Sequence, residues 1–180
     1  GFYLAGFTLQ LINLARANNA GRMRRYVFIA GTLAVIAHAI SAARVISSPT
    51  GYHFGVVQIS TLIAVSISAL VLASSIRKPL ENLFLGLFPL AVISIIMSLS
   101  IDSSYPPTSL SAGMASHVLI SILAYSFISI AAMQAGFLAY QNYQLKHGHA
   151  GGLLHRFPPL QDMEVFLFEL LWVGQLLLSL

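Results

Sequence analysis

Six stretches of the chain are almost wholly apolar, separated by short polar stretches: residues 1–15, 26–46, 56–75, 83–101, 113–143 and 163–180. The middle four are about as long as, or longer than, the ~20 residues a helix needs to cross the ~30 Å hydrocarbon core of a bilayer. The first and last are short and look cut, so the chain is expected to continue beyond both ends. In lipid every backbone N–H and C=O must find its partner within the protein, which leaves helices as the spanning element for runs of this kind. The pattern predicts an all-α, polytopic transmembrane bundle of six membrane segments, forming a single domain over residues 1–180.

The fifth stretch organises the rest. A helix over residues 113–143 would be ~46 Å long at ~1.5 Å per residue, more than the membrane core requires. No Gly or Pro follows Gly136 until Gly148, so the helix is expected to run on to about Tyr143 and project from the membrane. At 100° per residue, His117, Ser121, Ala124, Ile128, Ala131 and Ala135 form one stripe, mostly of small side chains that admit a neighbouring helix or a flat ligand. His117 stands at its head.

The loops orient the bundle. Arg16, Arg22, Arg24 and Arg25 separate the first two segments, Arg77 and Lys78 the third and fourth, and Lys146 and Arg156 the last two. The alternate loops, 47–55 and 102–112, carry no Lys or Arg. The positive-inside rule then puts the basic loops in the cytoplasm and the N-terminus of this chain outside. Only Arg44 breaks the rule. Ser47-Ser48-Pro49-Thr50-Gly51 and Tyr105-Pro106-Pro107-Thr108 read as external turns, Pro158-Pro159 precedes the sixth helix, and Pro89 should kink the fourth. The loop 146–161, with His147-Gly148-His149-Ala150-Gly151-Gly152, reads as a flexible connector.

Composition narrows the chemistry. The 180 residues are 57% hydrophobic and 8% charged, far from the ~25% charged of a soluble domain. Nine Lys and Arg against five Asp and Glu are explained as orientation signals, which removes nucleic acid as a partner. With no cysteine, disulfides, dithiol electron transfer, thiolate-held iron–sulfur clusters and covalent c-type haem attachment are excluded, so any cofactor is held non-covalently. There is no nucleophile elbow, phosphate loop or HExxH, and no pair of broken helices of the transporter kind.

A few residues remain that could do chemistry. His117 is either an interfacial histidine bonded to headgroup or backbone, or an axial ligand to haem. His38, in the second segment among Ala34, Ala37, Ala39, Ser41 and Ala42, is either a polar clamp between helices or a second haem ligand. Arg44, six residues further and about one and a half turns higher, either snorkels to lipid phosphate or meets a haem propionate at the rim. Glu169, with Trp172 and Gln175 beyond it, suits a helix–helix hydrogen bond better than a proton relay. His147, His149 and His155 lack zinc-type spacing, and a Gly-rich loop is a poor preorganised metal site.

The run Met114-Ala115-Ser116-His117-Val118, then Leu123-Ala124-Tyr125-Ser126, resembles the histidine-bearing helix of the CcsA-type cytochrome c assembly proteins. Within that family the short YpjD-like branch, related to HemX, is similar also in Tyr140-Gln141-Asn142-Tyr143-Gln144-Leu145-Lys146, in Pro158-Pro159-Leu160 and in Ala37-His38-Ala39. The resemblance implies a bacterial plasma-membrane protein that binds haem b near its outer face, with His117 and His38 as iron ligands and Arg44 toward a propionate. It also implies other cytochrome c assembly components as membrane partners. In the fully equipped members a second external histidine and a tryptophan-rich loop complete the site, and these would lie beyond Leu180. Two functions are therefore expected, haem handling as an assembly factor and not as an enzyme, or a HemX-like regulatory scaffold without catalysis. A solute or proton carrier using Glu169 is a third.

Overall fold

The computed structural model describes residues 1–15, 20–76, 83–101, 106–147 and 159–180, with the side chains of 14, 15 and 20–22 left aside. Its helices are α1 Phe2–Ala15, α2 Ala20–Ile46, α3 Val56–Ser74, α4 Phe84–Ser100, α5 Ala112–Lys146 and α6 Leu160–Leu178. A two-residue hairpin, β1 Ser47–Ser48 and β2 Gly51–Tyr52, joins α2 to α3. The all-α expectation holds, but helix number and membrane crossings diverge. Among the described residues three helices are long and apolar enough to cross a membrane: Met23–Ile46 within α2, Val56–Ser74, and Ala112–Lys146. The apolar α4 has 17 residues and α1 has 14, while α6 carries Asp162, Glu164 and Glu169 along its 19. The chain is an α-helical membrane protein, and the six expected crossings are matched in helix number only.

α2 buries mostly small residues and turns large apolar ones outward, the reverse of a soluble bundle. On α2, Val27, Gly31, Ala34, His38 and Ala42 are buried at helical spacing, while Ile29, Leu33, Ile36 and Ile40 are exposed on the other side. Lipid solvates the outer stripe as well as a core would, so close backbone approach drives the packing. Hydroxyls within the helices satisfy themselves by bonding back one turn, as Thr32 does to the Phe28 carbonyl at 2.8 Å and Ser126 to the Ile122 carbonyl at 2.7 Å.

α1 packs against α2 and α4, α3 against α2, α4 and α5, and α6 against α5. The core of the first four helices is aromatic: Phe84 and Phe88 stack at 4.8 Å, and Tyr3 of α1 leans on Phe88 at 5.3 Å. Gly6 makes room for this, since a Cβ there would fall 2.7 Å from the Phe88 ring. Pro89 follows directly and lies inside the continuous α4.

The two loops without Lys or Arg meet. Tyr52 and Thr108 exchange backbone hydrogen bonds of 3.0 and 2.9 Å. Gly51, at φ 145°, sits where a Cβ would be 2.7 Å from the Thr108 carbonyl oxygen. Glycine is required there on both counts. At the opposite end Arg24 donates to the Ser75 carbonyl at 2.8 Å, tying the start of α2 to the end of α3. Residues 16–19, 77–82, 102–105 and 148–158, which hold much of the basic loops and the Gly-rich connector with His149 and His155, lie outside the described residues. Single cysteines at Thr50 and Lys146, in a chain with no cysteine of its own, are expected to label from opposite sides of the membrane, Thr50 from outside. Equal reaction of both with an impermeant maleimide in intact cells would overturn this topology.

Candidate functional site

A buried histidine between α1 and α2 is the most developed polar site among the described residues. The small residues of α2 let α1 close on it, and they leave His38 only 1% exposed. Its Nδ1 lies 3.1 Å from the hydroxyl of Tyr3, itself 3% exposed. The two rings meet edge to face, with centroids 5.6 Å apart. The clamp expected of His38 is therefore present, and it uses one ring nitrogen. The other, Nε2, is buried and has no hydrogen-bond partner among the described residues.

His38 and Tyr3 also line a cavity of about 510 Å³ between α1, α2 and α4, with Ala34, Ser41, Val92 and Ile95 in its wall. Phe2 and Ile96, both exposed, form its rim, so it opens on the apolar outer surface of the bundle. Its size falls within the ~300–1,000 Å³ of small-molecule and cofactor sites. The wall is apolar apart from His38, Tyr3 and Ser41, and Nε2, with no accessible surface of its own, lies just behind it, so an iron would reach it only where a wall side chain gives way. No three of His, Cys, Asp and Glu cluster as a metal site among the described residues.

His117 is placed otherwise. It lies in the second turn of α5, whose start is capped by the Ser111 hydroxyl accepting from the Met114 N–H at 3.3 Å. Residues 111–117 are all exposed, and no residue of α5 lines the His38 cavity. The structure does not bring His117 and His38 to one site. At Ile128 and Ala131 the stripe below His117 admits a neighbour, not a flat ligand, because α6 fills it there. Gly174 of α6 seats so closely on Ile128 that a Cβ would be 2.8 Å from its Cγ1. Ala131 joins the core that holds Phe166 and Leu170.

Arg44 is exposed in the last turn of α2, outside the wall of the cavity. Glu169, Trp172 and Gln175 are exposed on α6, away from it. α5 runs unbroken to Lys146, as the sequence predicts, and presents Tyr140 and Tyr143 on its projecting end.

Tyr3 was not among the residues expected to matter. A phenol hydroxyl inside an apolar segment demands a partner, and that demand was the available signal for it.

No family model matches the chain, and no solved structure matches it. Over 177 residues it is 27% identical to the protein named inner membrane protein YpjD of Escherichia coli strain K12, a match covering 96% of this chain and 66% of that one. The same figures hold for the proteins of that name in Escherichia coli O6:H1 strain CFT073 and O157:H7. The chain thus spans just under two thirds of the length of these curated relatives. The similarity bears out the YpjD-like part of the sequence reading, while the wider cytochrome c assembly family rests on the residue resemblance.

Proposed function

We propose that this chain belongs to a bacterial inner-membrane protein that handles haem in cytochrome c-type biogenesis, holding haem b non-covalently near the outer face. The observation that carries the reading is the buried, unpartnered Nε2 of His38 beside a cavity of about 510 Å³. An apolar pocket with a few polar side chains in its wall is the usual form of a cofactor site. Bound haem supplies the iron chemistry, and the protein supplies ligation, orientation and shelter from water. His38 would hold the iron within the bundle. His117, exposed at the head of α5, is a separate iron ligand on the outer surface, not the partner of His38 on one haem. Arg44, ~9 Å further along α2 than His38, meets a propionate at the rim. Haem and other membrane components of cytochrome c assembly are the partners, and the basic loops face the cytoplasm.

A HemX-like regulatory scaffold is the second reading, favoured by the exposed Tyr140, Tyr143 and Lys146 on the projecting end of α5. The absorption spectrum of the purified full-length protein, alone and titrated with hemin, separates the two. Haem handling is expected to give a Soret band that shifts and saturates with hemin. A spectrum indistinguishable from free hemin in the same detergent would leave the scaffold.

A further inference from the structure

We propose that the cleft between the end of α5 and the start of α6 binds a phospholipid whose headgroup carries a primary ammonium, with Asn142 and Lys146 holding the phosphate and Glu164 the ammonium.

The cleft follows from the way the two antiparallel helices pack. Gly174 seats α6 directly on Ile128, and the register set there carries Leu167 to the level of Ala135 and Glu164 to the level of Leu138. Ala135 and Ala139 are too small to close the space between the helices. About 350 Å³ is left, with Asn142 and Glu164 as the polar part of its wall. That volume lies at the lower end of the ~300–1,000 Å³ of ligand sites. It shares no residue with the His38 cavity, so the proposal stands apart from the haem reading.

Depth decides what the cleft can hold. Met133 fills the space over Gly86 of α4, and Phe84 of the same turn meets Phe28 of α2 edge to face at 6.3 Å. Counting ~1.5 Å per residue from these contacts puts Arg24 of α2 about level with Ala139. A guanidinium there marks the edge of the hydrocarbon. Ala135 and Leu167 then line the cleft inside the apolar layer, while Asn142 and Lys146 stand beyond it. Each helical side chain leans toward the N-terminus of its own helix. In an antiparallel pair, Glu164 therefore reaches toward the polar layer, and Asn142 and Lys146 reach back toward the membrane, so the three polar groups converge on the headgroup region.

Charge selects the head. Lys146 continues the Asn142 face one turn further, and neither Lys146 nor Glu164 has an ion pair or hydrogen bond among the described residues. An acyl chain is equally at home in the cleft and in bulk lipid, so preference must come from polar contacts. A phosphate accepts from the Lys146 ammonium and the Asn142 amide, and a primary ammonium donates to the Glu164 carboxylate. A glycerol head keeps the phosphate contacts but brings no cation to Glu164. A choline head brings the charge without an N–H to donate.

The test titrates delipidated full-length protein in detergent with phosphatidylethanolamine, phosphatidylcholine and phosphatidylglycerol of identical acyl chains, counting bound lipid by native mass spectrometry. The first phosphatidylethanolamine is expected to bind about tenfold tighter than the first phosphatidylglycerol, the low end for a hydrogen bond to a charged group, with phosphatidylcholine between them. Glu164→Gln, at an exposed position, is expected to erase the preference and keep the fold. Lys146→Gln should weaken all three lipids alike, and Ala139→Phe, which fills the cleft from an exposed position, should remove the tight lipid. Equal binding of phosphatidylethanolamine and phosphatidylglycerol, or a preference that survives Glu164→Gln, would overturn the proposal. Tight lipid retained in Ala139→Phe would place the site elsewhere. Displacement of the lipid by soluble phosphoethanolamine at equal concentration would show that the site takes a small solute, and the lipid assignment would fall.

Discussion

Full-length protein carrying His38→Ala is expected to lose the cavity-bound haem. Its Soret band should collapse toward that of free hemin, while its helical circular dichroism stays unchanged. The loss should exceed the ~10–100-fold that follows from removing a mere partner of a metal ligand, because the ligand itself is gone. The fold should survive, since alanine is at home beside Ala34 and Ala42 in the buried stripe of α2. The substitution enlarges a cavity that already opens at the bundle surface. It also leaves the Tyr3 hydroxyl without the imidazole it meets at 3.1 Å, a loss the water-accessible cavity beside it can relieve. His117→Ala is expected to lower haem content without altering the His38-derived spectrum, because α5 contributes nothing to the cavity wall. His147→Ala, at the far end of α5 where its ring lies against Tyr143, should change neither. If His38→Ala kept the wild-type haem content and Soret position while His117→Ala lost both, the iron would belong to the outer surface and the buried imidazole would be a clamp alone.

The contrast between those two histidines marks what could be read from the chain alone. Helix number was legible because long apolar runs broken by Gly, Pro and charge have one stable solution in lipid. The start of α2 was not, since the helix runs through Arg22, Arg24 and Arg25 to begin at Ala20 rather than Tyr26, while the extension of α5, expected to about Tyr143, runs three residues further to Lys146. The pairing of Tyr52 with Thr108 could be foreseen only as far as both loops lying on one side, because charge reports side and not contact. The choice between ligand and neighbour for the stripe on α5 was beyond reach. Small residues invite any close approach, and only the placement of Gly174 against Ile128 shows that a helix took the space. His38 stood out as an imidazole among alanines, but its environment depends on Tyr3, 35 positions away on another helix. A contact between two helices leaves no spacing in the sequence, since each contributes one polar residue to an otherwise apolar face.

That assembly makes the site sensitive to how α1 seats on α4. Gly6 lies one turn beyond Tyr3 on the same face of α1, and its missing side chain accommodates the Phe88 ring. Gly6→Val is therefore expected to push α1 away from α4 and to draw the Tyr3 hydroxyl off His38. Overpacking of this kind costs about 1–3 kcal/mol, enough to lower the midpoint of thermal unfolding in detergent measurably. Gly174→Val is the matched control. It forces a Cβ against Ile128 with a similar clash, but between α5 and α6, where no residue of the His38 cavity lies. Both variants should be destabilised to a comparable degree. Only Gly6→Val should also weaken hemin binding, because only α1 carries the partner of Nδ1. Equal loss of hemin affinity in both variants would mean that binding tracks overall stability, and the seat of α1 on α4 would then have no special part in holding the imidazole.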